Sequence, residues 1–205
     1  MNKLFYSILL LLIIATSSCQ QYVPAGHVPK RNPEYTPPNQ ADYINISFER
    51  TINKGFDDVW SALIEYSSST FFAINTFEKE SGLLTLKFGT ANPDKFIDCG
   101  EIQSVTTTYS GSAVGGFQSW DYADLDGAMN IFVKPISSNV TQVRVNARYI
   151  FRASDGYGKQ IWAFDSGGSD TKRIGGVSQM TCIPTHEAEE AIIDGIDKIA
   201  KGIQN

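Results

Sequence analysis

Two spacings of apolar residues follow one another early in the chain and predict two different elements. Between Tyr43 and Ile52, the apolar residues Ile44, Ile46 and Phe48 alternate with polar ones, which is the period of a half-buried strand. From Gly55 to Tyr66 the apolar spacing changes to three and four residues, which predicts an amphipathic helix. Asn53 is a candidate N-cap, and Asp57 and Asp58 fall in the first turn, where the helix dipole favours negative charge.

The later part of the chain predicts further antiparallel strands and a C-terminal helix. The predicted strands are Ser69–Glu78, Leu83–Phe88, Met129–Val133, Thr141–Phe151 and Gly175–Ile183. Gly82 supplies the permissive backbone that a tight turn between the first two needs. The helix is expected over Glu187–Ile203, with Thr185 at its start and Lys198 and Lys201 near its end. This order predicts an α+β fold in which a curved antiparallel sheet grips the C-terminal helix.

The N-terminus predicts a secretion signal. Lys3 precedes an apolar run from Leu4 to Ala15, and a helix of that length spans about 18 Å against about 30 Å for a bilayer core. We therefore expect residues 1–18 to be a signal peptide and not a membrane anchor. The small residues 16–18 before Cys19 resemble the lipobox of bacterial lipoproteins, which implies that Cys19 becomes the acylated first residue. An ordinary secreted protein with a cysteine near its cleavage site is the alternative.

Residues 19–41 predict a proline-rich tether between this anchor and a single folded domain, residues 42–205. Five of the eight prolines lie in the tether, and proline favours extended structure without apolar periodicity. The tether is either a passive spacer or a short recognition segment. Gln20 follows the cysteine where lipoproteins kept in the inner membrane carry Asp. The resemblance thus implies the periplasmic face of the outer membrane, if the host is Gram-negative.

Residues 44–88 resemble the opening of the helix-grip domains found in BamC-like outer-membrane lipoproteins. The resemblance is carried by the strand end Arg50-Thr51-Ile52, by the Val-Trp-x-x-Leu pattern in the helix, and by the turn Glu-Ser-Gly-Leu-Leu. It implies a helix-grip fold and a non-catalytic subunit that interacts with other proteins. BamC itself carries two such domains, and this chain has room for one.

Composition and charge exclude some partners. The formal charge is −5, and no run of basic residues occurs, so neither nucleic-acid binding nor electrostatic docking on anionic lipid is expected. The chain has two histidines and neither a P-loop nor a dinucleotide fingerprint, so no metal and no cofactor are expected.

Cys99 and Cys182 remain after the candidate lipidation site. Outside the inner membrane the envelope is oxidising, so an even pair predicts a disulfide. Free thiols are the alternative. A nucleophile pair between Cys182 and His186 is also conceivable, but it requires an orienting group and a cleft.

Two glycine-rich stretches, residues 100–128 and 153–176, show the least regular pattern. Their aromatic residues are candidate binding residues, because binding often uses loops carried on a rigid sheet. These candidates are Tyr109, Phe117, Trp120, Tyr122, Tyr157, Trp162 and Phe164. They can equally be hairpin ends whose aromatics cover the core. The three aspartates in 121–127 predict a solvated hairpin turn more than a calcium loop, whose ligand spacing they lack.

These features together predict a protein that is not an enzyme. We expect an envelope lipoprotein that binds another protein at the membrane surface. The alternative is a carrier that holds an apolar ligand between sheet and helix. The third hypothesis is an enzyme that hydrolyses the cell wall, although the sequence singles out no pair of carboxylates for that reaction. A filled space between sheet and helix would favour binding at the surface over the carrier.

Overall fold

The structure, a computed structural model, describes residues 34–39, 48–103, 109–120, 122–154, 158–174 and 177–202. The predicted signal peptide, Cys19 and Tyr157 lie outside these residues. The strands are β1 (Glu34–Thr36), β2 (Phe48–Ile52), β3 (Ala73–Glu78), β4 (Leu83–Thr90), β5 (Ile97–Asp98), β6 (Glu101–Gln103), β7 (Ser110–Ser112), β8 (Tyr122–Ser137), β9 (Val140–Ser154), β10 (Lys159–Asp165), β11 (Asp170–Ile174) and β12 (Val177–Pro184). The α-helices are α1 (Phe56–Ser69), α2 (Ala113–Trp120) and α3 (Glu187–Ala200). Within the described part of the chain, no helix has the length and apolar character needed to cross a membrane.

A six-stranded antiparallel sheet forms the centre of the fold. Its strand order is β10-β9-β8-β4-β3, and β2 pairs with the first part of β9. Two three-stranded antiparallel sheets, β1-β6-β7 and β11-β12-β5, complete the described pairing. The predicted α+β class, with antiparallel sheets and a C-terminal helix, is confirmed.

The long strands β8 and β9 separate a buried face of the central sheet from an outer face. One set of side chains is buried, namely the odd-numbered residues from Ala123 to Val133 and from Thr141 to Ala153. The even-numbered residues between them are partly or fully exposed. This is the two-residue period of a sheet that is covered on one side. Helices α1 and α3 pack together and contact the central sheet, and their apolar stripes join its buried face in one core.

The two stretches expected to be irregular contain regular structure. Strands β6 and β7, helix α2 and the first part of β8 occupy 100–128, and β10 and β11 lie within 153–176. The predicted turn at 121–127 is therefore wrong, because Tyr122 to Gly127 pair with β9 inside a long hairpin. The physical reason is an alternation that the acidic residues obscure: Ala123 and Leu125 face the core, while Asp124 and Asp126 lie on the outer face. Gly127 makes room for Phe88, since a Cβ there would lie 2.0 Å from Cζ of that ring.

The helix starts differ from the predicted caps. The N-cap of α1 is Gly55 and not Asn53, and Asp57 and Asp58 do occupy the first turn. The N-cap of α3 is His186, whose φ of 70° places it in the left-handed region. Thr185 contributes more weakly, since its hydroxyl accepts the Glu187 N–H at 3.5 Å.

The folded unit begins earlier than residue 42, so the predicted tether is too long. Strand β1 pairs with β6, and the compact unit that contains it starts at residue 32. The Tyr35 hydroxyl accepts the Thr181 N–H at 3.0 Å, which ties β1 to β12 as well. Gly100 has a φ of 80°, and a Cβ there would lie 2.2 Å from the Thr36 carbonyl oxygen, so the close approach of β1 requires glycine.

Cys182 lies in β12, and Cys99 directly follows β5. Their Sγ atoms are 2.01 Å apart, which is disulfide distance, and both residues are fully buried. Strand β5 pairs with β12 through Ile183 opposite Asp98, so the sulfurs join segments that are already neighbours.

Candidate functional site

Trp162 and Phe164, the described aromatic candidates of the second glycine-rich stretch, belong to the core. Trp162 is fully buried in β10, where its indole N–H donates to the Met180 carbonyl at 3.1 Å. Phe164 is also buried, and its ring stacks on Tyr149 with a centroid distance of 5.7 Å. Neither side chain offers a binding surface, so these two follow the alternative interpretation, in which the aromatics cover the core.

Two aromatic candidates of the first stretch, Tyr109 and Tyr122, have side chains that the structure describes. Tyr109 is half-buried, and its hydroxyl donates to the Ser112 carbonyl. Tyr122 is 47% exposed at one end of the outer face and lines a cleft of about 380 Å³ with Arg152 and Ile161. The side chains of Phe117 and Trp120, which lie in α2, and all of Tyr157 are outside the described part of the chain.

A buried polar cluster lies on the helix-covered face of the central sheet and consists of Glu189, Tyr149, Ser166 and His186. The Tyr149 hydroxyl donates to Oε2 of Glu189 at 2.5 Å, and the Ser166 hydroxyl donates to Oε1 at 2.7 Å. Nδ1 of His186 lies 3.5 Å from the same Oε1. Ser166 is itself held by β9, because its hydroxyl accepts the N–H of Ala147 at 2.7 Å. The cluster therefore joins α3, β9 and the turn after β10 through one carboxylate.

The surroundings of Glu189 favour its charged form. Burial by itself would raise the pKa of this carboxyl, but the interactions with His186, Tyr149 and Ser166 together bring the pKa below its ordinary value. Burial, followed by the charge of Glu189, raises the pKa of Tyr149, so the phenol stays a neutral donor.

This cluster has the residue types of a catalytic site but no access for a substrate. All four residues are buried, and Glu189 and Tyr149 are fully enclosed. Cys182, which lies near His186 in sequence, is at disulfide distance from Cys99 and is therefore not positioned as a free nucleophile in this structure. The hydrogen bonds of the cluster hold the start of α3 against the sheet. His186, the N-cap of α3, is buried there with its backbone in the left-handed region.

Sequence reasoning overlooked Glu189, although a signal was present. The residue lies on the same stripe as Ile192, Ile193 and Ile196, which are all buried. An acid on the apolar stripe of a helix must find buried donors, because an unpaired buried charge is costly. Its neighbours Glu187 and Glu190 are exposed, so the run of glutamates concealed the one that faces inward.

The two outward aspartates of β8 bind a guanidinium group. Arg152 Nη1 lies 2.7 Å from Asp126 Oδ2 and 3.5 Å from Asp124 Oδ2. The hydrogen bond that Arg152 donates to the Asp126 carboxylate raises the pKa of the guanidinium, which keeps this cross-strand group charged. Among the described residues, no group of three His, Cys, Asp or Glu side chains is arranged to hold a metal ion.

A cleft of about 660 Å³ opens at the end of the central sheet where the β3–β4 and β8–β9 turns meet. Phe56, Phe132 and Pro135 give it an apolar floor. The charged side chains that line it carry both signs: Lys79, Lys134, Arg144, Glu49 and Glu80. The Arg144 guanidinium lies 5.2 Å from the centroid of the Phe132 ring, a cation–π contact that holds both groups at the surface. Apolar floors with polar rims are typical of protein-binding surfaces.

The space between the sheet and α3 is filled by side chains. On the helix, Ala188, Ile192 and Ile196 are fully buried, and on the sheet Tyr149 and Phe151 are as well. A groove of about 730 Å³ between the C-terminal halves of α1 and α3 is lined mainly by polar groups, such as those of Glu65, Ser69 and Asp194. A large apolar ligand would have to displace core side chains to enter.

Comparison with known proteins gives no relative. No family model matches the chain, and neither the curated proteins nor the solved structures contain a match. Any inference about function therefore depends on the residues and on the geometry described above.

Proposed function

We propose that this chain is a lipid-anchored envelope protein whose single domain binds another protein at the membrane surface without catalysing a reaction. The site we assign to this binding is the cleft at the end of the central sheet, where the β3–β4 and β8–β9 turns meet. The observation that carries the proposal is the contrast between a filled interior and this open cleft, which combines apolar side chains with charged groups of both signs.

The proposed location is supported by the N-terminal sequence. The short apolar run, the small residues before Cys19 and the Gln20 that follows favour an acylated protein at the periplasmic face of the outer membrane. Two or more acyl chains hold a protein stably on a membrane. A buried cysteine pair at disulfide distance agrees with an oxidising compartment.

We further propose that the domain is of the helix-grip type, as in BamC-like lipoproteins. Helix α3 contacts β9 and β2, and α1 contacts β3, β8 and β9, so both helices cover the central sheet. The hydrogen bond between Glu189 and Tyr149 fixes α3 against the middle of that sheet.

Surface binding is favoured over the two alternative functions. A carrier of apolar ligands needs an internal cavity, and the sheet-facing side chains of α3 leave no such space open among the described residues. A hydrolase needs accessible carboxylates. Glu189 is enclosed, while Asp124 and Asp126 are paired with Arg152.

Photocrosslinking in living cells tests the proposed site. A photoreactive amino acid at Lys134, on the rim of the cleft, is expected to capture one protein reproducibly. The matched control is the same amino acid at Glu190, an exposed position on α3. If neither position captures a reproducible protein, protein binding is refuted. If only Glu190 does, the proposed surface is wrong.

Mass spectrometry separates the remaining elements of the proposal. The mature chain should carry the mass of three acyl chains at Cys19, and a Cys19→Ser variant should lose that mass. Native mass spectrometry of the purified chain should show no bound lipid. A stoichiometric lipid in addition to the anchor would favour the carrier instead.

A further inference from the structure

The cleft at the end of the central sheet contains two cations that form no ion pair with any described residue. Lys134 in β8 and Arg144 in β9 both line the cleft. Lys134 lies opposite Gln142 and Arg144 lies opposite Phe132, so the two cations are diagonal neighbours on one face of the sheet. Neighbouring like charges repel each other, and a carboxylate placed between them relieves that repulsion.

The acid that faces Arg144 in the strand register does not pair with it. Glu49 in β2 lies opposite Arg144, but its carboxylate accepts a hydrogen bond from the Gln142 side-chain amide. The Arg144 guanidinium lies over the ring of Phe132 in β8, on the other side of β9 from Glu49. Within the part of the chain that the structure describes, its N–H groups have no acceptor. Arg144 is thus positioned by an aromatic ring and keeps its donors for an acceptor from another molecule.

The other charged side chains of the cleft leave an excess of positive charge for a partner. Lys79 already forms an ion pair with Asp57 at 2.8 Å, and Glu49 already accepts an amide donor. Glu80 is exposed in the β3–β4 turn and forms no ion pair with the residues that the structure describes. The charges still open to a partner are therefore two positive and one negative, although the whole chain has a formal charge of −5.

We propose that the partner segment bound in this cleft carries a carboxylate next to an apolar side chain. The inference rests on the proposed function, because it names the chemistry of the segment that the cleft binds. The carboxylate accepts from the Arg144 guanidinium and lies beside Lys134, while the apolar side chain contacts Phe56 and Phe132 on the floor. The floor favours an acidic peptide over an inorganic anion, since an anion alone leaves these apolar side chains exposed to water.

Saturation-transfer NMR on the acylated full-length chain in nanodiscs of zwitterionic lipid tests the inference with two synthetic probes, and empty nanodiscs are the blank. One probe is the capped tripeptide Phe-Glu-Phe, and the other is its neutral counterpart Phe-Gln-Phe. The acidic peptide should bind the wild type about fivefold more tightly, which is the upper range for an exposed ion pair. Arg144→Gln should abolish this difference, and Lys134→Gln should reduce it. The matched control is Arg148→Gln, which removes an exposed arginine on the same strand and face, outside the cleft, and should keep the difference.

Four outcomes overturn the inference: the two peptides bind equally, neither peptide binds, the difference survives in Arg144→Gln, or Arg148→Gln abolishes it as well. Photocrosslinking keeps this failure distinct from a failure of the proposed function. A protein captured reproducibly at Lys134 in cells, together with equal binding of the two peptides, would uphold protein binding and refute the acidic segment. Capture at neither Lys134 nor Glu190 would refute the proposed function and this inference with it.

Discussion

Replacing the buried Glu189 by glutamine tests the role of the polar cluster. In the wild type, the hydroxyls of Tyr149 and Ser166 both donate to this carboxylate, at 2.5 and 2.7 Å. The amide of Glu189→Gln has nearly the same shape but only one oxygen to accept, so its NH₂ group faces one of the two hydroxyls. A hydrogen bond to a charged group contributes about 1.5–3 kcal/mol, and a buried group left unsatisfied costs about 1–3 kcal/mol.

We therefore expect Glu189→Gln to lower the free energy of unfolding by about 2–4 kcal/mol at neutral pH. Urea unfolding followed by fluorescence and by circular dichroism measures this change. Glu190→Gln is the matched control, because that side chain is exposed and its loss should change stability by less than about 0.5 kcal/mol. If the two variants were equally stable, the cluster would have no role in holding α3.

The same variant makes a prediction about pH. The folded-state pKa of Glu189 lies below its unfolded value, so the charged form stabilises the fold above about pH 4.3, the ordinary glutamate pKa. This contribution is lost as the pH falls through the folded-state pKa. The difference in stability between wild type and Glu189→Gln should therefore shrink as the pH is lowered from 5 to 3. A difference that stays constant would show that the charge of Glu189 does not matter.

Three further changes probe other parts of the fold. Changing both Cys99 and Cys182 to serine should lower the free energy of unfolding by about 4–5 kcal/mol, the chain-entropy value for a sequence separation of 83. Urea unfolding under oxidising conditions measures this change, and an unchanged free energy would mean that the two cysteines are not bonded. Gly127→Ala should cost about 1–3 kcal/mol, because its Cβ would overlap the Phe88 ring; a wild-type melting temperature would contradict this packing. Tyr35→Phe should cost about 1 kcal/mol and increase hydrogen exchange in β1, and unchanged exchange would remove β1 from the folded unit.

Local periodicity identified the elements whose signal lies within a few neighbouring residues. The stripe of α1 and the alternation along β9 depend on side chains that repeat every turn or every second residue, and both could be read directly. Strand β10 was missed, although Trp162 and Phe164 alternate with exposed residues, because glycine and serine on both sides suggested a loop. The start of β8 was missed because its outward positions are aspartates, which are typical of turns.

The sequence by itself determined the class of fold, the pair of cysteines available for a bond, and the N-terminal pattern that predicts an anchor. Only the tertiary structure decided which glutamate is buried and that the space behind α3 is filled. These properties depend on which distant residues meet, such as Tyr149 with Glu189. The contact energy of such a pair is comparable to that of many alternative pairings, so one chain's local pattern does not specify it.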